Sequence, residues 1–242
     1  MNGMETAQPE PAPRALVLRN RFLNEVLPDG SWRGHPCVVV GGGPSYETFD
    51  CARLRGWRTI GINRAFERFE PTVLFSMDER YYRWVVSGMY DAMADGAGAA
   101  AKFAAFRGYK AWLMTRGGSF PEDVFVLPAY RNYETALQAF VWSSEEGIGS
   151  GNNSGYGALQ LAVVLGANPI YLVGFDMRHR GAKTHGHSGH PIPQQAYQVE
   201  HMRTFFERAA PAIKARGFRV VNLCADSALR CFEFGDPEEV FR

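Results

Sequence analysis

The forty residues from Gly151 to His190 constrain this chain more than any other stretch. They open with Gly151-Asn152-Asn153-Ser154-Gly155, small polar residues suited to a turn and a helix cap. The run from Tyr156 to Gly166 is apolar at nearly every position and ends on glycine, which predicts a helix. After a short turn, Pro169-Ile170-Tyr171-Leu172-Val173-Gly174 predicts a buried strand that ends in Phe175-Asp176-Met177. A polar loop over 177–191 then carries His179, His185, His187 and His190, four of the six histidines within twelve positions. Loop, helix, strand, acidic strand tip and polar loop make one half of an α/β binding site. Ligands of open parallel sheets collect beyond the carboxyl ends of the strands.

The earlier chain supplies the other half. Cys37-Val38-Val39-Val40 predicts a buried strand running into Gly41-Gly42-Gly43-Pro44-Ser45, a turn in which Ser45 can cap the next helix. Glycines let a backbone approach a ligand, and helix-start N–H groups favour anions. The spacing is not GxGxxG, so an ordinary strand–turn–helix connection competes with the nucleotide-binding reading. Arg58 to Ile62 predicts a second strand with Asn63 at its tip, and Thr72 to Met77 a third that ends at Asp78. Asn and Asp also form turns for their own sake, a reading that three polar tips weaken.

Around these elements, Ala15 to Val26 suits a short amphipathic helix, with Phe22, Leu23 and Val26 on its apolar side. Lys110 to Met114 and Val124 to Leu127 are candidate strands. The weak periodicity of their surroundings makes 80–149 an expected insertion or lid that shapes a second substrate's pocket. A helix from about Gln194 to Arg216 and a strand from Phe218 to Leu223 complete the chain. The expected architecture is α/β: a Rossmann-like, mostly parallel sheet flanked by helices, forming a single domain over 15–242. Residues 1–14, rich in proline and polar, read as a flexible tail and not as a signal peptide. The four cysteines form no CxxC pair and read as reduced thiols in the cytoplasm. No apolar run reaches the roughly 20 residues needed to span a bilayer. A net charge of +1 gives no global field for nucleic acid, although a local patch and a nucleic-acid acceptor remain open, as does a homo-oligomer.

Read together, Gly41-Gly42-Gly43-Pro44-Ser45, Ile62-Asn63-Arg64, Asn153-Ser154-Gly155, Leu172-Val173-Gly174-Phe175-Asp176, Gly186-His187-Ser188 and Asn222-Leu223-Cys224 come in a familiar order. They resemble the bacterial sialyltransferases with one Rossmann-like domain and a small lid. They are also similar to hydroxymethylpterin diphosphokinase-like proteins and to phage-encoded relatives. The resemblance implies that Gly42, Gly43, Ser45, Asn63, Asn153, Ser154 and Gly155 hold a CMP-sugar or another nucleotide-sugar donor. It matches Asp176 to the strand-tip acid and His187 to the general base. The chain departs from the pattern at Gly42, where the family has Asn. It also lacks the tyrosines that steady the leaving phosphate; Arg178, Arg180 and Lys183 stand there instead.

Sugar transfer fits the loop's chemistry. A neutral imidazole, His187 or its neighbours His185 and His190, can take the acceptor hydroxyl's proton, while cations neutralise the departing phosphate. The expected partners are therefore a nucleotide-sugar donor and a hydroxyl-bearing acceptor, with no tightly bound cofactor and no metal. Three other readings stay open. The loop can be merely solvated, Asp176 can cap a turn, or His185, His187, His190 and Asp176 can bind a metal. The alternative activity is a Mg-dependent diphosphokinase or nucleotide phosphotransferase, with Asp78 and Asp176 on the ion. A non-catalytic phage nucleotide-binding protein is the third possibility.

Overall fold

The computed structural model describes residues 20–92, 98–114, 119–130, 140–178 and 196–242. The tail expected over 1–14 lies outside them, as do His179, Arg180, Lys183, His185, His187 and His190.

The chain is a Rossmann-like α/β protein. Among the described residues nine strands pair, every one in parallel: β1 (Arg21–Phe22), β2 (Cys37–Val40), β3 (Arg58–Ile62), β4 (Val73–Ser76), β5 (Tyr109–Met114), β6 (Val124–Pro128), β7 (Ile170–Val173), β8 (Val220–Asn222) and β9 (Glu233–Phe234). Their order is β1-β6-β5-β4-β3-β2-β7-β8-β9. The central strands are apolar without alternation because both faces are covered, and β2 is buried at all four residues.

One face packs the helices Ser154–Val164 and Ala196–Ala215 onto the sheet, placing Tyr156, Leu159, Phe205 and Phe206 with Val39, Ile60, Phe75 and Leu172. On the other face, the helices Glu79–Val86 and Ala99–Ala105 bring Tyr81, Val85 and Phe103 to Leu74, Trp112 and Val126. Beside them, short 3-10 turns after β2 and β3 bring Tyr46, Leu54 and Ala65 to Val38, Val40 and Val173.

The Ser154–Val164 helix is buried at every residue after Ser154. Gly157 lets it lie close on β4, since a Cβ there would stand 2.8 Å from Phe75 Cζ. Its buried polar side chain Gln160 makes three hydrogen bonds to the backbone. Oε1 accepts from the N–H groups of Val141 (3.2 Å) and Gly149 (3.0 Å), and Nε2 donates to the Gly149 carbonyl (2.8 Å).

From β2 the chain steps outward through β3, β4 and β5 to β6. The Ser154–Val164 helix then carries it back, and β7, β8 and β9 extend the sheet the other way. The direction reverses between β2 and β7, the topological switch point where such sheets bind ligands.

Some local expectations are corrected. The amphipathic helix over Ala15 to Val26 is not formed in its described part: Arg21 and Phe22 pair with Phe125 and Val126 as an edge strand, and Leu23–Glu25 is a 3-10 turn. Backbone pairing with an open edge outweighs the helical spacing. The candidate strands at Lys110 to Met114 and Val124 to Leu127 do form, as β5 and β6, and lie in the main sheet between β4 and β1. β9 and the short helix Pro237–Val240 carry no signal in the sequence reading, being short and exposed.

Candidate functional site

Asp176 organises the switch point. It follows β7 and is 1% exposed. Its carboxylate accepts the Ser45 N–H (3.1 Å to each oxygen) and the Ser45 hydroxyl (2.6 Å), across 131 residues of sequence. The loops after β2 and β7 are further joined by Gly41 N–H to Val173 carbonyl (2.7 Å) and Gly43 N–H to Gly174 carbonyl (2.9 Å). Glycine is required for this approach. A Cβ on Gly43 would stand 2.3 Å from Asp176 Oδ2, and one on Gly174, where φ is +73°, 2.5 Å from the Gly41 carbonyl.

This changes the reading of the glycine turn. Ser45 is not a helix cap: the 3-10 turn Pro44–Thr48 begins on Gly43 without a side-chain cap, and both Ser45 donors serve Asp176. Nor is the turn a ready phosphate cradle. Gly41, Gly43, Ser45 and Tyr46 spend their N–H groups inside the protein, and Pro44 has none. Gly42 is the open position: no hydrogen bond among the described residues uses its N–H, and a Cβ there meets nothing within 4 Å.

The other predicted residues share this carboxyl-terminal edge. The β2–β3 register ends with Val40 paired to Gly61, and Gly42 and Asn63 each follow two residues beyond that last pair. Asn63 is held at φ +50°, and its Oδ1 is buried without a hydrogen-bond partner among the described residues. The turn it begins is closed by Arg64 and Glu67, bonded through two 2.6 Å contacts with the guanidinium over Tyr90. Asn153 caps the central helix by accepting the Gly155 N–H at 2.6 Å. Gly155 lies against the Phe175 ring, 2.9 Å from where its Cβ would be, and that ring in turn meets Phe206 edge-on.

The three non-glycine residues with positive φ among those described, Asn63, Asn152 and Met177, all fall at this edge. Backbone held in such conformations concentrates at functional sites, where the surroundings over-determine it.

Asp78 stands apart, at the tip of β4 and two strands from β2, roughly 10 Å at the usual strand spacing. Its side chain caps the Glu79–Val86 helix and pairs with Arg80 at 2.9 Å. Burial works to raise this carboxyl, and the bonds and charge of Arg80 outweigh it, holding the group below the ordinary carboxylate value. Arg178 pairs with Asp226 at 3.5 Å, both of them exposed. Arg180, Lys183, His185 and His187 lie outside the described residues. Among the described residues no three of His, Cys, Asp and Glu gather as a metal-binding group. Likewise, no helix there is long and apolar enough to cross a membrane.

Sequence reasoning missed two supports. Gly174 makes the close crossing of the loops, and Ser227, fully buried, donates its hydroxyl to the Phe175 carbonyl. Next to it, the Ala228 N–H reaches the Asp176 carbonyl at 2.8 Å. The available signal for Ser227 was only an Asp-Ser turn pair.

No protein-family model matches the chain, and no curated protein matches it. Among solved structures it is similar to the MAf glycosyltransferase from Magnetospirillum magneticum AMB-1, with 16% identity and a TM-score of 0.47 over 81% of this chain; it spans only 32% of that protein. It is also similar to the sialyltransferase CST-II in complex with a trisaccharide acceptor and CMP, with 15% identity and a TM-score of 0.47 over 84% of this chain and 86% of that one. CstII from Campylobacter jejuni with cytidine-5'-monophosphate gives 13% and 0.46 over 84% and 85%. Likeness at this level transfers no residue role to this chain.

Proposed function

We propose that the chain is a glycosyltransferase that moves a sugar from a nucleotide donor to an acceptor hydroxyl at the β2–β7 switch point. The observation that carries this reading is the bracing of two ligand-facing loops by one buried acid, Asp176, which leaves Gly42 open between them. A floor fixed in advance suits a reaction whose main demands are position and charge.

In the proposed step the bond from anomeric carbon to phosphate oxygen breaks, and its electron pair stays on the phosphate. The acceptor oxygen bonds to the anomeric carbon, and its proton passes to His187. Arg178, Arg180 and Lys183 would neutralise the departing phosphate in place of the turn's N–H groups, most of which are already committed. Gly42, Gly43, Ser45, Asn63, Asn153, Ser154 and Gly155 would form the nucleotide side of the pocket. The phosphotransferase reading needs Asp78 and Asp176 on Mg²⁺, yet Arg80 and Ser45 respectively occupy these carboxylates.

A thermal-shift panel of CMP, UDP, GDP and ATP, with and without Mg²⁺, tests the class of ligand. The expected result is metal-independent stabilisation by a nucleotide that occurs as a sugar carrier. Stabilisation only by ATP with Mg²⁺ would instead point to phosphoryl transfer. With the donor in hand, His187→Ala should slow single-turnover transfer by roughly a hundredfold or more and leave nucleotide binding near normal.

A further inference from the structure

At the amino-terminal edge of the sheet, opposite the candidate site, lies a groove of about 690 Å³. It is bordered by Asp29 and Arg33 ahead of β2, Asn168 ahead of β7, Arg216 and Phe218 ahead of β8, and Trp142. The volume falls within the range of small-molecule sites, roughly 300–1,000 Å³.

Two of its other polar side chains, Asn168 and Asp29, are hydrogen-bonded to backbone groups. Asn168 donates to the Gly217 carbonyl (3.0 Å) and accepts the Arg219 N–H (2.9 Å), while Asp29 accepts the Ser144 N–H (2.9 Å). Three other acids near this edge pair with their own cations: Glu70 with Arg107, Asp123 with Lys110 and Glu233 with Arg219. Arg33 and Arg216 are different. Neither has a carboxylate partner among the described residues, and the Arg216 guanidinium is held over the Trp142 ring at 3.9 Å.

We propose that this groove is a second binding site, for a compact phosphate-bearing ligand. Two guanidinium forks match the tetrahedral oxygens of a phosphate, and stacking on an indole fixes one fork without using its donors. The size of the groove and a net charge of only +1 favour a compact group over a long polyanion. The ligand's source is either a soluble phosphate ester or a phospholipid headgroup. The site is independent of the reaction proposed above.

The test uses the full chain in two arms: calorimetry with inorganic pyrophosphate, and co-sedimentation with phosphatidylcholine vesicles that contain or lack phosphatidic acid. Binding in the first arm identifies a soluble ligand, and phosphatidic-acid-dependent pelleting in the second a headgroup. In either arm, Arg33→Ala and Arg216→Ala should each weaken binding by roughly tenfold while the melting temperature holds. Ligand addition should change tryptophan fluorescence in the wild type and not in Trp142→Phe. Failure to bind in both arms overturns the proposal. So does binding that both arginine variants retain at full strength, which would locate the anion elsewhere.

Discussion

The two ends of the parallel strands solve different problems. At the carboxyl edge, polar groups are turned inward: Asp176 is almost wholly buried and taken up by Ser45, and the glycines exist so that backbone and carboxylate can touch. At the amino edge, Arg33 and Arg216 stand exposed around an open groove. One edge is built by geometry and the other by surface charge. Substitutions should therefore cost stability at the first and chiefly ligand affinity at the second.

The sharpest contrast lies within a single turn. Gly43→Val places carbon against the Asp176 carboxylate and the Gly174 carbonyl and should cost about 3 kcal/mol in urea denaturation. Gly42→Ala, one residue away, has open space and should stay within about 0.5 kcal/mol, with its effect confined to nucleotide affinity. Equal losses at the two positions would break the distinction. Asp176→Asn keeps the shape but replaces one acceptor by a donor facing Ser45, and should cost about 2 kcal/mol by the same measurement.

The double change Arg33→Ala with Arg216→Ala should cost no more than about 1 kcal/mol, mainly the contact with Trp142. A larger loss would mean that the amino edge is also structural. The smallest effect concerns Asp78. Its depressed folded value means that the charged form stabilises the fold above the unfolded value of about 3.9, and that this contribution disappears as pH falls through the folded value. Asp78→Asn should therefore be slightly less stable than wild type at neutral pH, with the gap closing below about pH 4 in denaturation curves.

How much of this was legible in the sequence depended on range. The bounds of β2 and β3 follow from short apolar runs stopped by glycine or asparagine, and Asn153 announces its helix by residue type alone. The candidate edge was legible as a row of polar tips. What joins the tips was not, because the bond from Ser45 to Asp176 spans 131 residues and nothing local to either marks the other. Ser45 was read for the chemistry common to serine after a turn, and a distant acid claimed it first. Gly43 was likewise read as room for a ligand, when that room belongs to Asp176. β1 was lost because Phe22, Leu23 and Val26 are spaced as well for a helix as for the edge strand and turn that form.

The Ser154–Val164 helix has a consequence of its own. A cylinder greasy on every side gains nearly the same from any rotation about its axis, so burial alone does not choose an angle. Gln160 chooses it. Its amide can meet both Gly149 and the Val141 N–H at only one azimuth and one height, so one side chain works as an indexing pin. Two turns earlier on the same rod stands Asn153, at the mouth of the candidate site, and the pin that sets the rod's angle therefore sets where that mouth opens.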